Sequence, residues 1–240
     1  MASANDSGVS RFASSDEPTI AGPFSLFDGS FILEFLEPRP ERNASSKYAL
    51  SRSDWFSTAQ SPPLHIHFLQ SESLAVLSGQ VGTTTTYDLV DTIHTPQNTG
   101  EATPYEITPM RPHTFWPHPD ATEDTTFLLW AHPSPDDMDQ KMDRLFFQNL
   151  LLYLSDISNG KEQMSILQIM LMQHVAATAM VIFSGAWFLG PLRWWVPWKL
   201  QALGATIAQW RGKKTLMQQY LSKEEWEDVQ SRINGHQKTL

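Results

Sequence analysis

The sequence predicts a mainly β domain followed by an α-helical region, with the change near Pro133. Before Pro133, short apolar runs alternate with Pro, Gly, Asp and Asn residues, a pattern typical of many short strands. After it, apolar residues recur at helical spacing over 136–156. Several short strands in succession favour a sandwich or a closed barrel.

Eight segments of the first region are predicted to be strands. The first two form a hairpin, because the dipeptide Asp28-Gly29 between them favours a tight turn. The polar stretch 90–104 is predicted to be a long connection at a barrel mouth. The predicted strands are 24–27, 30–36, 62–69, 72–78, 82–89, 105–108, 114–116 and 126–131.

The chain divides into four predicted segments. Residues 1–22 are polar and form a disordered tail, without the basic start and apolar run of a secretory signal. Residues 23–135 form the barrel, and 136–163 hold a helix that packs on it, opened by acidic residues. Residues 164–240 form an apolar and then amphipathic helical region. We therefore expect a cytoplasmic or membrane-associated protein.

The stretch 164–192 contains no Asp, Glu, Lys or Arg. About 20 apolar residues suffice to cross a bilayer as a helix, and the tryptophans and basic residues near its end resemble an interfacial belt. The polar residues Gln168, Gln173 and His174 weaken that interpretation. Three interpretations remain: a membrane-spanning helix, membrane contact at the interface through 165–198, and a helix buried in the core or between copies.

Composition excludes several kinds of site and partner. The net charge of −9 and the pI near 5.3 argue against nucleic acid as a partner, because its phosphates require a basic patch. The chain has no cysteine, so it has neither disulfides nor thiolate zinc sites. Any metal ion must be held by imidazole and carboxylate groups.

The run PPLHIHFLQSESLAVLSG contains a candidate metal centre. His65 and His67 are two residues apart, so on a strand both imidazoles point to the same face. An antiparallel hairpin would bring Glu72 beside them, and His113 could supply a third imidazole from the far side of the barrel. Three histidines and one carboxylate suit one divalent ion of iron, manganese, nickel, copper or zinc. Such a set leaves one or two positions for water, substrate or dioxygen.

This run resembles the first motif of the cupin superfamily, G-x5-H-x-H-x3,4-E-x6-G. His65, His67, Glu72 and Gly79 match it with every internal spacing kept, and Ala59 stands at the leading glycine. The resemblance implies a double-stranded β-helix, or jelly-roll, barrel. It covers about 24–133, and the helical part resembles an extension seen in small fungal cupins.

A second run, YEITPMRPHTFWPHP, resembles the second cupin motif, G-x5-P-x-G-x2-H-x3-N. His113 fits it, and Pro112-His113-Thr114 resembles the common cupin ending. Four positions depart from the motif: Ala102, Thr108, Met110 and Pro117. The resemblance also implies a homodimer as one oligomeric state.

The site suggests a metal-dependent enzyme that acts on a small apolar organic metabolite. Oxidation by dioxygen is the first expectation, isomerisation or cyclisation the second, and secondary metabolism is the expected setting. Glu72 could be a ligand or a proton acceptor, and Phe68, Phe115 and Trp130 could line an apolar pocket. A non-catalytic, small-ligand-binding cupin and a membrane-associated accessory protein remain as alternatives, because fold alone does not settle function.

Overall fold

The computed structural model describes most of the chain in five ranges. These are 18–37, 45–50, 61–122, 124–132 and 144–237. The first part of the predicted tail, up to residue 17, and the first part of the predicted helix, 136–143, lie outside the described residues.

Eleven strands of the described ranges form two antiparallel sheets, which confirms the predicted mainly β architecture. The larger sheet contains, in spatial order, β1 (Thr19–Leu26), β2 (Phe31–Leu36), β3 (Ser45–Leu50), β10 (Thr125–His132), β5 (Ser71–Ser78) and β8 (Tyr105–Ile107). The smaller sheet contains β11 (Thr178–Met180), β4 (His65–His67), β9 (His113–Pro117), β6 (Val81–Thr85) and β7 (Val90–His94).

The chain passes repeatedly between the two sheets. From β4 to β10 it changes sheet at every connection except the one between β6 and β7, which is the path of a double-stranded β-helix. Apolar side chains of both sheets fill the space between them, among them Leu74 and Phe127 of the larger sheet and Val81 of the smaller. The barrel therefore has an inner face that receives side chains from both sheets.

The first two strands pair as the hairpin that the sequence predicts. The turn between them holds Asp28 at φ 55° and Gly29 at φ 83°, conformations that Asp and Gly tolerate better than most residues. Strand β1 begins at Thr19, inside the range 1–22 that the sequence assigned to a disordered tail. Strands β3 and β11 were not predicted, and β7 occupies part of the predicted loop 90–104.

Four helices of the described part lie after the barrel, which confirms the predicted order of a β domain and a helical region. They are α1 (Arg144–Ser158), α2 (Ile166–Val175), α3 (Leu192–Trp210) and α4 (Lys223–Gln237). Helix α1 packs on the barrel through Leu151 and Leu154, and its Ser155 hydroxyl accepts a hydrogen bond of 2.9 Å from the Phe27 N–H. Its other side packs on α2 around Met172.

The stretch 164–192 is not one helix, so its interpretation as a single membrane-spanning helix is wrong. Helix α2 ends at Val175, and Ala177 then takes a left-handed conformation at φ 52°. The chain continues as β11, turns again at Phe183 with φ 57°, forms one turn of 3-10 helix at Trp187–Leu189, and re-enters an α-helix only at Leu192. Among the described residues, no helix has both the length and the apolar character that crossing a membrane requires.

Strand β11 attaches the helical region to the barrel. It pairs antiparallel with β4, with Ala179 opposite Ile66. The fully buried Ile66 side chain packs against Ala179 and Val181, and the ring of Phe68 lies 5.5 Å from those of Trp194 and Trp198 on α3. The outer face of β4 is thus covered, and its inner face is left for the histidines.

Candidate metal centre

Three histidines converge on the inner face of the barrel. The alternation of β4 directs His65 and His67 inward and Ile66 outward, and His113 lies directly opposite His65 on β9. One ring nitrogen of each histidine lies within 4.8 Å of one ring nitrogen of the other two. His67 and His113 are almost fully buried, whereas His65 is half-buried. His65 is therefore the member of the cluster with the most access to solvent.

Glu72 completes the cluster from the opposite sheet. Its Oε1 lies 3.5 Å from Nε2 of His67, and its Oε2 lies 3.1 Å from Nε2 of His113. The carboxylate is 4% exposed, so these imidazoles take the place of water around it. All four predicted ligands are therefore neighbours in the structure.

The route by which two ligands reach the site differs from the sequence interpretation. Glu72 does not pair in a hairpin with the strand of His65 and His67, because β5 belongs to the larger sheet and β4 to the smaller. His113 does not come from the far side of the barrel, because β9 is the neighbour of β4. The two sheets face each other across the interior, and this closure brings the carboxylate to the imidazoles.

Backbone carbonyls fix the orientation of two imidazoles. Nδ1 of His65 donates to the carbonyl of Pro63 at 2.8 Å, and Nδ1 of His113 donates to the carbonyl of Arg111 at 2.9 Å. A carbonyl oxygen only accepts, so the proton of each neutral ring is on Nδ1 and Nε2 presents a lone pair. A second hydrogen bond of this kind is what orients histidine ligands in metal sites.

Burial and mutual proximity set the charges of the cluster. Burial, together with the nearby charges of His113 and His67, holds the pKa of His65 well below its usual range, and burial lowers the pKa of His67 to about 4. Burial alone would raise the pKa of Glu72, but the nearby imidazoles, first that of His67 and then that of His113, lower it to about 2. At neutral pH His65 and His67 are therefore neutral and Glu72 is a carboxylate, the forms in which these groups bind metals.

The contact between His113 and Glu72 is favourable only when a cation lies between the two side chains. With Nδ1 protonated, Nε2 of a neutral His113 and the carboxylate oxygen 3.1 Å away would be two acceptors facing each other. Either a proton or a metal ion between them removes this repulsion. Because the other two imidazoles point to the same place, the donor set fits one divalent ion of the kind that nitrogen and oxygen ligands prefer.

Of the three predicted pocket residues, only Phe115 shares the inner face with the cluster. Its ring lies 5.7 Å from that of His113. Phe68 packs on α3 outside the barrel, so its assignment to the pocket is wrong. Trp130 packs with Ala75 and Leu128 on the side of the larger sheet that faces away from Glu72, so its assignment is wrong as well. Successive side chains of a strand point to opposite faces, so an aromatic residue can line the pocket only when it is on the inner face.

The interior also contains polar residues that the sequence interpretation did not place there. His94 is buried between two hydroxyls, with Nε2 2.8 Å from Thr83 Oγ1 and Nδ1 2.9 Å from Thr99 Oγ1. Its ring lies 4.6 Å from that of Tyr105. The alternation of Val90 to His94, a short strand within a polar stretch, is the signal that could have identified this position.

Arg111 extends its guanidinium group into the same part of the barrel. Its Nη2 donates to Thr85 Oγ1 at 3.2 Å, and Thr85 lies directly opposite His113, on the same face. The guanidinium carbon lies 5.7 Å from the centroid of the Tyr105 ring. A half-buried positive charge therefore lies between Thr85, the strand neighbour of His113, and Tyr105.

No protein-family model matches the chain, whereas several fungal proteins resemble it in sequence. It is 30% identical over 175 residues to oxidoreductase iacF of Pestalotiopsis fici, covering 70% of this chain and 73% of that protein. It is 30% identical over 152 residues to probable oxidoreductase virH of Hypocrea virens, covering 63% of this chain and 61% of that protein.

Among solved structures, the polyketide cyclase RemF from Streptomyces resistomycificus is 21% identical and matches with a TM-score of 0.33, covering 51% of this chain and 78% of that one. The path of the chain through its two sheets is that of a cupin barrel, and the predicted ligands lie together inside it. By sequence, the chain belongs to the same fungal protein family as iacF.

Proposed function

We propose that this protein is a metal-dependent oxidoreductase of the dioxygenase type that acts on a small, largely apolar organic metabolite. The observation that carries the proposal is the convergence of His65, His67, Glu72 and His113 on one point inside the barrel. The names of the relatives iacF and virH, both oxidoreductases, support a redox reaction.

The protein contributes a buried, oriented set of ligands. When bound, a divalent ion supplies Lewis acidity toward an acidic or carbonyl oxygen and, when it is redox-active, electrons for dioxygen chemistry. His65, the half-buried member, leaves the approach to this position open on its side. His67 and His113 close the other sides and exclude water.

Glu72 acts as a ligand rather than as a general base. A base is most effective when its pKa lies near the working pH, whereas the pKa of Glu72 is lowered to about 2. A carboxylate held so firmly in its ionised form is a weak proton acceptor and a good partner for a cation. Of the two roles that the sequence left open for Glu72, this low pKa supports that of ligand.

Arg111 narrows the class of substrate. Its guanidinium group donates to Thr85, the residue opposite His113 on the neighbouring strand, and a guanidinium pairs strongly with a carboxylate, enolate or phenolate oxygen. Phe115, on the inner face, offers an apolar surface to the rest of the molecule. The site therefore suits an aromatic or aliphatic metabolite with one acidic oxygen that reaches Arg111.

The test is the metal content of the full chain by elemental mass spectrometry, followed by oxygen uptake with a set of small phenols and β-dicarbonyl compounds. We expect near-stoichiometric metal and uptake that chelation abolishes. Conversion of a compound without oxygen uptake would replace oxidation by isomerisation or cyclisation. Absence of metal after reconstitution with iron, manganese, nickel, copper and zinc would overturn the proposal in favour of a non-catalytic ligand-binding protein.

A further inference from the structure

Helix α3 and the loop before it present a large apolar surface to solvent. We call this surface the aromatic face. It is defined by six side chains that are between 42% and 85% exposed: Trp187, Phe188, Trp195, Leu200, Leu203 and Trp210. Single exposed apolar residues are ordinary on protein surfaces, whereas a continuous group of large ones marks a binding surface.

The aromatic face is not needed to hold α3 in place. The opposite side of the helix packs Trp194 and Trp198 on Phe68 of the barrel, and Ala205 and Ala208 on α2. Gln201 strengthens this attachment, because its Nε2 donates to the Thr178 carbonyl at 2.7 Å. Since the inner side already fixes the helix, the apolar residues of the outer side contribute little to the fold.

The loop that carries Trp187 and Phe188 is attached to the first turn of α3. Arg193 donates from Nη1 to the Ser184 carbonyl at 2.9 Å and from Nε to the Gly190 carbonyl at 3.0 Å. Its guanidinium carbon lies 3.7 Å from the centroid of the Tyr87 ring on the barrel. The two exposed aromatic rings therefore project from an ordered loop.

The segment that carries the aromatic face is positively charged, although the protein as a whole carries −9. The segment 163–222 contains no Asp or Glu. Its five basic residues are Arg193, Lys199, Arg211, Lys213 and Lys214. Lys199 lies on the face itself, with Nζ 5.5 Å from the ring centroid of Trp195. The partner of this surface should thus be apolar in its interior and negative at its border.

We propose that the aromatic face binds the surface of a membrane that contains anionic lipid, with α3 parallel to the bilayer. Tryptophan is favoured at the level of the lipid headgroups, and a helix with an apolar face and basic residues binds there without crossing. Only the outer side of α3 can enter the membrane, because its inner side is attached to the barrel.

Charge also argues against a second copy of this chain as the occupant. In a symmetric dimer the same surface patch faces itself, so the basic residues of one copy would lie against those of the other. Like charges brought together across an interface are unfavourable. Anionic headgroups instead neutralise them and attract the basic residues within a short distance of the surface.

The test is flotation of the full chain with phosphatidylcholine vesicles prepared with and without phosphatidylserine. We expect binding that increases with phosphatidylserine and decreases with salt. The double variant Trp187→Glu/Phe188→Glu should reduce binding about ten-fold or more, because it places charge where the rings enter the lipid. Both residues are more than 70% exposed, so the fold should be unaffected.

The matched control is Ile20→Glu/Val90→Glu, which adds the same charge at two other exposed apolar positions, on β1 and β7. This variant should bind vesicles almost as well as the wild type. Metal content, which should be the same in all three proteins, separates this test from that of the enzymatic function.

Three results would overturn the proposal. The first is a wild-type protein that fails to float with anionic vesicles at low salt, and the second is binding that the double variant retains. The third is a wild type that dimerises in size-exclusion chromatography with light scattering while Trp187→Glu/Phe188→Glu does not. That last result would assign the aromatic face to a second copy of the chain.

Discussion

The interior of the barrel buries polar side chains, whereas the outer face of α3 exposes apolar ones. Both arrangements are the reverse of what is usual in a globular protein. In the barrel, His67, Glu72, His94 and His113 are each no more than 4% exposed. On α3, the aromatic face leaves large apolar rings in water. Burial of polar groups costs free energy unless they are paired, and exposure of apolar area costs about 25 cal/mol per Å².

The two regions differ in how that cost is met. His94 has a hydroxyl partner on each nitrogen, and Nδ1 of His113 has a carbonyl. In the cluster of four predicted ligands, the donor atoms are still directed at one point. Among the described residues, no part of the protein covers the aromatic face. Its apolar side chains can therefore be removed from water only by another molecule. We infer that the interior is built for a small ligand and the face for an extended surface.

The largest expected effect concerns the interior. The double substitution His67→Ala/His113→Ala should reduce metal affinity by at least about three orders of magnitude, because loss of a mere supporting contact already costs about 10- to 100-fold. Metal content after dialysis, measured by elemental mass spectrometry, checks this. The matched control is His94→Gln, which alters a buried histidine outside the cluster and should keep the metal. Full metal content in the double variant would disprove the ligand assignment.

The sequence alone could predict which residues form this centre, but only part of how they meet. The two-residue spacing of His65 and His67 defines a shared face because a strand alternates strictly. The positions of Glu72 and His113 depend on which strands share a sheet, a tertiary property that spacing does not encode. The four residues that the cupin motif predicted as ligands do lie together, whereas the hairpin and far-side explanations of their meeting were wrong.

The helical region was harder to predict for a local reason. The apolar run 164–192 satisfies a helix pattern, but Ala177 and Phe183 adopt left-handed conformations. Residues other than Gly, Asn and Asp rarely take such conformations. No glycine or proline marks the end of α2 at Val175. The break is imposed by the pairing of β11 with β4, so it could not be read from the local sequence.

Two adjacent residues of β4, one on its inner face and one on its outer face, test whether the two faces have separate roles. Ile66→Ala should lower the free energy of unfolding by about 2 to 4 kcal/mol, because it leaves a cavity under Ala179 and Val181. Its metal content should stay normal. His65→Ala should show the reverse, with metal lost and the stability of the metal-free protein changed by less than about 1 kcal/mol. Urea unfolding of the chelator-treated proteins supplies the free energies, and loss of metal in Ile66→Ala would refute the separation of the two faces.

Arg111 tests whether the interior is built for an acidic oxygen. Arg111→Gln should weaken binding of the chelating anion nitrocatechol to the metal-loaded protein about ten-fold, the size expected for a lost charge-assisted hydrogen bond. Arg111→Lys keeps the charge and should lose less. Titration followed by the absorption of the bound probe gives the dissociation constants. Equal affinity in wild type and Arg111→Gln would remove this residue from the proposed substrate site.

The smallest expected effect is the response of the metal-free interior to acid. Burial lowers the pKa of His94 to about 4, below the value of about 6.5 expected in the unfolded chain. Between these values the unfolded chain binds a proton that the native protein does not. The contribution of His94 to the free energy of unfolding is therefore fully present above about pH 6.5 and is lost as the pH decreases toward about 4.

From about pH 7 to about pH 5 the free energy of unfolding should fall by about 1 to 2 kcal/mol on account of His94 alone, and His65 and His67 act in the same direction. In His94→Gln the decrease should be smaller by this same amount, about 1 to 2 kcal/mol, because glutamine can bond to Thr83 and Thr99 without titrating. Urea unfolding at both pH values in the presence of a chelator measures the difference. An equal decrease in both proteins would mean that His94 is protonated to the same extent in the folded and unfolded states, and that the barrel interior admits more water than its burial indicates.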